Sequence, residues 1–363
     1  FGYLQETQKV SLDHIREIRS YTDSSFMELD LNTFRNLEIT ETMRDKSKAG
    51  SLLSVLDRTG TAMGARQLRK WLEQPLINCV EIRKRLNGVA ELHGDSMLRH
   101  ELMNVLKNML DVERLMSKVT YQTANARDLL SLRNSLRLLP KVKQLLSGCK
   151  SGMLAEQFQR LDPLEDLCLL LEQAVADEPP FSVREGGMIR EGYHEQVDGY
   201  RRALKEGRQW IAELEQKERE RTGIKTLKTG YNKVFGYYIE VTKSYQDQVP
   251  PHYIRKQTLT NCERYITDEL KQLEDTILSA DERIATLEYE LFIQLLHTVE
   301  WNLPRIQETV RAVACVDCLA SLAEVACEHH YCMPEVNLSD KISIQDGRHP
   351  VVEQMQKENL FVP

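Results

Sequence analysis

Two groups of residues in this 363-residue chain have the types and spacing to do chemistry. The first is a thiol and imidazole set: Cys315 and Cys318, then Cys327, His329, His330 and Cys332. Such ligands at short spacing can converge on a tetrahedral metal ion. Cys315 and Cys318, however, lie about one turn apart inside an apolar helical run, Val310 to Ala326, among Val313, Leu319 and Leu322. Cysteines buried as small hydrophobes explain that pair better. The second group is a basic island. From Arg221 to Arg264 the cations are Arg221, Lys225, Lys228, Lys233, Lys243, Arg255, Lys256 and Arg264, against Glu240, Asp247 and Glu263. That window carries +5 in a chain of net charge −7, which leaves −12 on the rest. Clustered charge sets a local field and marks a partner-facing surface.

Other sites do not survive inspection. No GxxxxGK[ST] loop is present to cradle phosphates. Gly186-Gly187 lacks the spacing and the strand-to-helix setting of a nucleotide fingerprint. His349, in Gly347-Arg348-His349-Pro350, reads as a turn at a strand start and not as a catalytic base. Tyr231, Tyr237 and Tyr238 present faces on which single-stranded bases stack, but read better as packing for a small sheet.

The elements that must hold the island are mostly helical. Asp57 and Thr59-Gly60-Thr61 are turn and cap signals ahead of a helix from Met63 to Leu72. Apolar residues recur at helical spacing from Val80 to Leu139, ending at Pro140. Asp162 to Ala176 reads as a further helix with Asp162 as N-cap and Pro163 at its first position. Two heptad seams follow. Tyr193, Val197, Tyr200, Leu204, Gly207, Ile211 and Leu214 form one; Leu270, Leu273, Ile277, Ala280, Ile284, Leu287 and Leu291 form the other. They predict an antiparallel pair of long helices. Between them, Lys225–Lys228, Lys233–Lys243 and Tyr253–Leu259 are rich in β-branched and aromatic residues, so a small sheet between roughly Arg221 and Asn261 carries the island. Ile342-Ser343-Ile344 and Val351-Val352 read as opening strands of another domain, cut short at Phe361-Val362-Pro363.

Composition bounds the class. Hydrophobic residues are 41% and charged residues 28%, with 17 Gly and 11 Pro, which excludes collagen-like and linker-like chains. No stretch approaches the ~18 apolar residues of a membrane helix, and FGYLQETQKV has no signal-peptide features. Eight scattered cysteines do not make a disulfide scaffold. A cytoplasmic protein is expected.

Several separated stretches resemble one family, in its order. SLLSVLDRTGTAMGARQLRKWLEQPL (51–76) resembles the signature of the central lever region of the MutS DNA mismatch repair proteins. REGGMIREGYHEQVDGYR (184–201) resembles the entry into their long lever helix, and TGYNKVFGYYIEVTK (229–243) and YIRKQTLTNCERYITDEL (253–270) their clamp and return helix. GRHPVVE (347–353) and the final FVP resemble the start of their ATPase domain.

The resemblance implies a mainly α fold: an elongated helical lever domain with two long antiparallel coiled-coil arms, a small β-containing clamp tip and a C-terminal stub of the ATPase domain. The expected divisions are 1–208 and 268–332 for the lever, 209–267 for the clamp and 333–363 for the stub. By motif match, Asn232, Lys256 and Asn261 fall where the family's clamp touches the DNA backbone; Lys233, Lys243, Arg255 and Arg264 are neighbouring charges added on physical grounds. Phe361 resembles the aromatic at the edge of the family's adenine pocket. The whole protein is expected to be a homodimeric, DNA-dependent ATPase using ATP and Mg, with a downstream MutL-type ATPase as partner, in the bacterial cytoplasm at the nucleoid. This stretch, without phosphate loop or mismatch wedge, is expected to take no cofactor, to hydrolyse no ATP and to hold duplex DNA without reading sequence. Homologues acting at meiotic or other DNA junctions are the alternative; the GYYIEVTK segment argues against clamp-less relatives.

Overall fold

The computed structural model describes residues 26–183, 185–232, 234 and 236–355. In chain order it contains α1 (Leu31–Asn36), α2 (Leu52–Leu56), α3 (Ala62–Glu73), α4 (Cys79–Gly94), α5 (Ser96–Leu106), α6 (Val112–Thr120), α7 (Ala126–Leu136), α8 (Leu139–Leu146), α9 (Gly152–Arg160), α10 (Glu165–Ala174) and α11 (Glu195–Thr222). Strands β1 (Lys228–Asn232) and β2 (Gly236–Thr242), a 3-10 helix (Lys243–Gln248), β3 (Ile254–Thr258) and β4 (Cys262–Ile266) follow. The chain continues through α12 (Asp268–Trp301), α13 (Leu303–Glu328) and α14 (Pro350–Met355). It is mainly helical, with one antiparallel four-stranded sheet. No helix among the described residues is long and apolar enough to cross a membrane.

The chain divides into two compact units. The first comprises the described residues within 1–124, 128–171 and 296–363. Its axis is α13, mostly buried from Ile306 to Val325, continuously so from Ala312 to Ser321, and packed by α3, α4, α5 and α9. A helix stretch apolar on every side is stable only when surrounded. The short helices around it begin at polar caps. Ser51, Thr61, Asn78, Asp95 and Asp111 each accept a hydrogen bond from a backbone N–H two or three residues on, which satisfies donors a helix start leaves free. These caps break the 80–139 run, expected as continuous helical periodicity, into four helices. Pro140 lies within the first turn of α8, where a missing N–H costs nothing, and so does not end the run.

The 57–64 segment is a receptor for one acid on α13. Asp317, 1% exposed, accepts from Gly60 N at 2.9 Å, Thr61 N at 2.8 Å and Thr61 Oγ1 at 2.6 Å. Thr61 Oγ1 in turn accepts from Gly64 N. A Cβ on Gly64 would stand 2.7 Å from Asp317 Cγ, so only glycine leaves room for the carboxylate. Burial pushes the Asp317 carboxyl above its ordinary value, against the donors that pull it down. Ser321 Oγ accepts from Arg58 N, and Arg58 Nε reaches Glu328 at 3.1 Å.

The second unit comprises 125–127 and 172–295. Its helices α11 and α12 run antiparallel: Arg201 meets Glu288 at 2.7 Å, Gly207 faces Ile277, and Lys217 meets Glu269 at 3.1 Å. A Cβ on Gly207 would lie 2.7 Å from Ile277 Cγ1, so the glycine brings the two backbones close. Ile211, Leu214, Leu270 and Ile277 from the helices share a core with Ile224, Leu227, Ile239, Val241, Tyr253 and Tyr265. Burying each such side chain contributes about 1.5–3 kcal/mol. Glu288, with no exposed side-chain area, accepts from Arg201 and from Met188 N at 2.7 Å, fastening the chain that enters α11.

Four expectations change. Residues 161–164 are not helical: Leu164 has φ +52 and Asp162 caps that turn while pairing with Arg305, so α10 starts at Glu165 and ends at Ala174. Tyr193 precedes α11. Cys262–Ile266, read toward the return helix, is strand β4, so the sheet runs past Asn261. The segments 342–344 and 351–352 are not strands: the former has no regular structure and Pro350 opens the short helix α14, with no strand among the described residues to pair them. His349 accepts from Val352 N and Glu353 N at the start of that helix.

Candidate nucleic-acid interface

The site is built on the sheet, whose order is β1-β2-β4-β3. Alternation sends Ile239, Val241 and Tyr265 into the core and leaves Glu240, Thr242 and Arg264 on the opposite face. Two carboxylates fix the sheet to its helices. Glu215 on α11 accepts from Thr229 N and Oγ1, both at 2.7 Å. Burial pushes its carboxyl up, but those bonds outweigh it and leave the group below its ordinary value. Glu274 on α12 accepts from Tyr237 N, and Gly236, at φ +76, leaves it room.

The register sets which candidates meet. Thr242 pairs with Cys262, and Lys243 N donates to Asn261 O at 3.2 Å, so Lys243 and Asn261 share one end of the sheet, both exposed. Asn232 pairs with Gly236 at the other end, about 20 Å away at ~3.3 Å per residue. Its Oδ1 accepts from Val234 N at 2.8 Å and shapes the hairpin turn. Lys256 sits at an irregularity: Arg255 pairs with Tyr265 and Gln257 with Arg264, so Lys256 is the extra residue of a β-bulge. Ile254, Arg255 and Lys256 are consequently all exposed, where a regular strand would alternate.

The arginines are engaged within the unit. Arg264 contacts Glu240 at 3.1 Å and Gln257 at 3.0 Å, and its guanidinium lies 4.1 Å from the Tyr238 ring centre. Gly230 gives that ring its place, since a Cβ there would stand 2.7 Å from Tyr238 Cζ. Arg255 meets Glu263 at 3.3 Å, and Glu263, 4% exposed, also accepts from Tyr265 Oη. Burial and Glu263 push the Tyr265 hydroxyl up to about 12. Arg221 pairs with Glu218, 3% exposed, which also accepts from Tyr253 Oη at 2.6 Å. Lys225, Lys228, Lys243 and Lys256 are exposed and make no ion pair among the described residues. Lys233 and Phe361 lie outside the described residues.

Three hydroxyls escaped the sequence reading. Thr226 Oγ1 lies 3.0 Å from Thr242 Oγ1, which lies 3.2 Å from Ser244 Oγ, making an exposed hydroxyl row at the Lys243–Asn261 end. Their signal was adjacency to lysine, in Lys225-Thr226 and Thr242-Lys243-Ser244; only the strand register unites them. Lysines with hydroxyl and amide donors can bind phosphate oxygens without reading bases.

The model of MutS domain III matches residues 32–323. The chain belongs to the MutS family. It is 55% identical over 361 residues to a DNA mismatch repair protein MutS of Ruminiclostridium cellulolyticum, covering 99% of this chain and 41% of that protein. Those of Acetivibrio thermocellus and Alkaliphilus oremlandii are 53% and 51% identical, again over 99% of this chain, covering 42% and 41% of theirs. The chain thus spans about two fifths of the length of these relatives. The matched region takes in the basic sheet. It also contains Cys315 and Cys318, both buried on α13, where Cys318 Sγ contacts Gly64 O.

Proposed function

We propose that this chain serves DNA mismatch repair, as the names of its relatives indicate, and that the sheet of its second unit is a clamp for the backbone of duplex DNA. The observation that carries this is that Lys225, Lys228, Lys243 and Lys256 are exposed without an ion pair among the described residues, with the Thr226–Thr242–Ser244 row and Asn261 beside Lys243 at one end of the sheet and Lys228 and Lys256 nearer its middle. Arg255 and Arg264 act in this reading as positioning residues for β3 and β4, and Asn232 as a turn former. Helices α11 and α12 act as coiled-coil lever arms. In the whole protein the levers couple DNA binding to an ATPase domain that takes ATP and Mg, with Phe361 beside the adenine. Homodimerisation and a MutL-type partner are read for that whole protein.

The test is a fluorescence titration of labelled duplex at two salt concentrations. Four phosphate contacts give a log–log salt slope of about −3 to −4, with dissociation constants in the non-specific range of roughly 10⁻⁴ to 10⁻⁶ M. Lys243→Glu, Lys256→Glu and Asn261→Ala should weaken matched and mismatched duplexes equally, because phosphate contacts position and do not specify. Asn232→Ala should weaken binding less. Binding that ignores salt, or that none of the three changes affects, would show that the sheet is not the DNA surface.

A further inference from the structure

The C-terminal end of α13 holds a polar cluster. His330, at φ +53, turns the chain out of the helix, and Tyr331 N donates back to Ala326 O at 2.9 Å. Arg348 closes over this turn. One guanidinium nitrogen donates to His329 O at 2.8 Å and His330 O at 3.0 Å; another meets Glu353 Oε1 at 2.8 Å. The same guanidinium lies 5.5 Å from the Tyr331 ring centre, and the His329 and Tyr331 rings are 5.6 Å apart.

Three side-chain atoms of the residues that meet at this turn are buried and find no hydrogen-bond partner among the described residues: His329 Nε2, Tyr331 Oη and Glu353 Oε2. Gln354 Nε2 stands 2.9 Å from His329 Nδ1. An amide nitrogen only donates, so Nδ1 accepts and the ring proton sits on Nε2. The nearest carboxylate to Nε2 is Glu328, at 3.8 Å, and it is already held by Arg58. Burial, then the Glu353 carboxylate, pushes the Tyr331 hydroxyl up, so it stays protonated at neutral pH. The cluster therefore offers two donors, His329 Nε2–H and Tyr331 O–H, and one acceptor, Glu353 Oε2.

We propose that this cluster is a binding site for a single structural water, which bridges the end of α13 to α14. Water accepts from Tyr331 and His329 and donates to Glu353, making the three bonds usual for a buried water. A cation is refused by the ring N–H and the Arg348 guanidinium. An anion is refused by Glu353. The water completes what Arg348 begins and fastens α14, which buries none of its own residues, to the central helix of the first unit.

The test compares this chain with its Tyr331→Phe variant by hydrogen exchange at the amides of residues 351–355, alongside a high-resolution crystal structure. The ring is kept, and protection of α3 reports that the fold is intact. With a bridging water, losing one of its three bonds should raise exchange at 351–355 about fivefold, the worth of one hydrogen bond. Wild-type density should show a water within hydrogen-bond distance of Tyr331 Oη and His329 Nε2. Exchange that is unchanged or slower in the variant overturns the proposal, since removing a lone buried hydroxyl should tighten the contact. So does density that shows no water there.

Discussion

Gly64→Ala should destabilise the first unit by about 2–4 kcal/mol, although alanine is the better helix former by about 1 kcal/mol. The added Cβ would stand 2.7 Å from Asp317 Cγ and 2.9 Å from its Cβ, closer than atoms pack. Asp317 cannot step aside freely, because its carboxylate is buried on α13 and holds Gly60 N, Thr61 N and Thr61 Oγ1. Displacing it weakens up to three bonds to a buried carboxyl group, each worth about 0.5–1.5 kcal/mol. Partial relaxation and the helix gain leave the range given. Thermal unfolding followed by circular dichroism would read a loss of about 2–4 °C per kcal/mol for a unit of this size. Gly94→Ala is the control, with nothing within 4 Å of the new Cβ, and should lie within about ±0.5 kcal/mol. In an Asp317→Ala background the cost of Gly64→Ala should fall to about 1 kcal/mol or less, because only the Cβ contact remains. If Gly64→Ala is as harmless as Gly94→Ala, or if the two changes add without coupling, the carboxylate is not what requires the glycine.

Two further outcomes follow from the first unit. Arg66 holds the Asp111 carboxyl below its ordinary 3.8 through direct hydrogen bonds. This stabilisation is fully present above that value and is lost as pH falls through the lowered one, so Arg66→Ala should flatten the acid limb of a stability-versus-pH curve and change its slope little near neutrality. His330→Gly should raise the melting temperature, by about 0.5–1 kcal/mol in stability, because glycine takes the left-handed turn conformation without the penalty a Cβ carries; an unchanged or lower midpoint would refute this.

What was legible in the sequence was local. Thr61 announced the start of α3, the two heptad seams announced α11 and α12, and the basic window announced the sheet's charge. What was not legible depends on pairing across the chain. Asp317 is one acid in an apolar run; its meaning appears only when Gly60 and Thr61, more than 250 residues earlier, are brought to it. Its signal was a charged residue where a fully buried helix tolerates one only with partners. Strand β4 was missed because Cys262–Ile266 carries Glu263 and Arg264, whose charges are answered by Arg255 and Glu240 on neighbouring strands. Asn232 and Asn261 are similar turn asparagines in the sequence, yet the register sets them at opposite ends of the sheet.

The division of labour among the cations of the basic window follows from their chemistry. Arginine presents a rigid planar fork that matches carboxylates, whereas lysine is a compact, strongly hydrated point charge on a flexible stem. Arg221, Arg255 and Arg264 each meet a carboxylate, two of them nearly buried, and so hold the sheet and its flanking helix in register. Lys225, Lys228, Lys243 and Lys256 meet none among the described residues. The +5 of the window therefore understates how unevenly it is distributed: the arginine charges are answered by carboxylates, two of them buried, although Arg221 and Arg255 are themselves exposed, and the four lysines face solvent without such a partner. Replacing an arginine should then lower stability first, since it leaves Glu218 or Glu263 buried without its partner. Replacing a lysine should leave stability within about ±0.5 kcal/mol and act on the field that a polyanion meets. A frame built by arginine–carboxylate pairs thus carries a surface built of lysines, and the two can be altered separately.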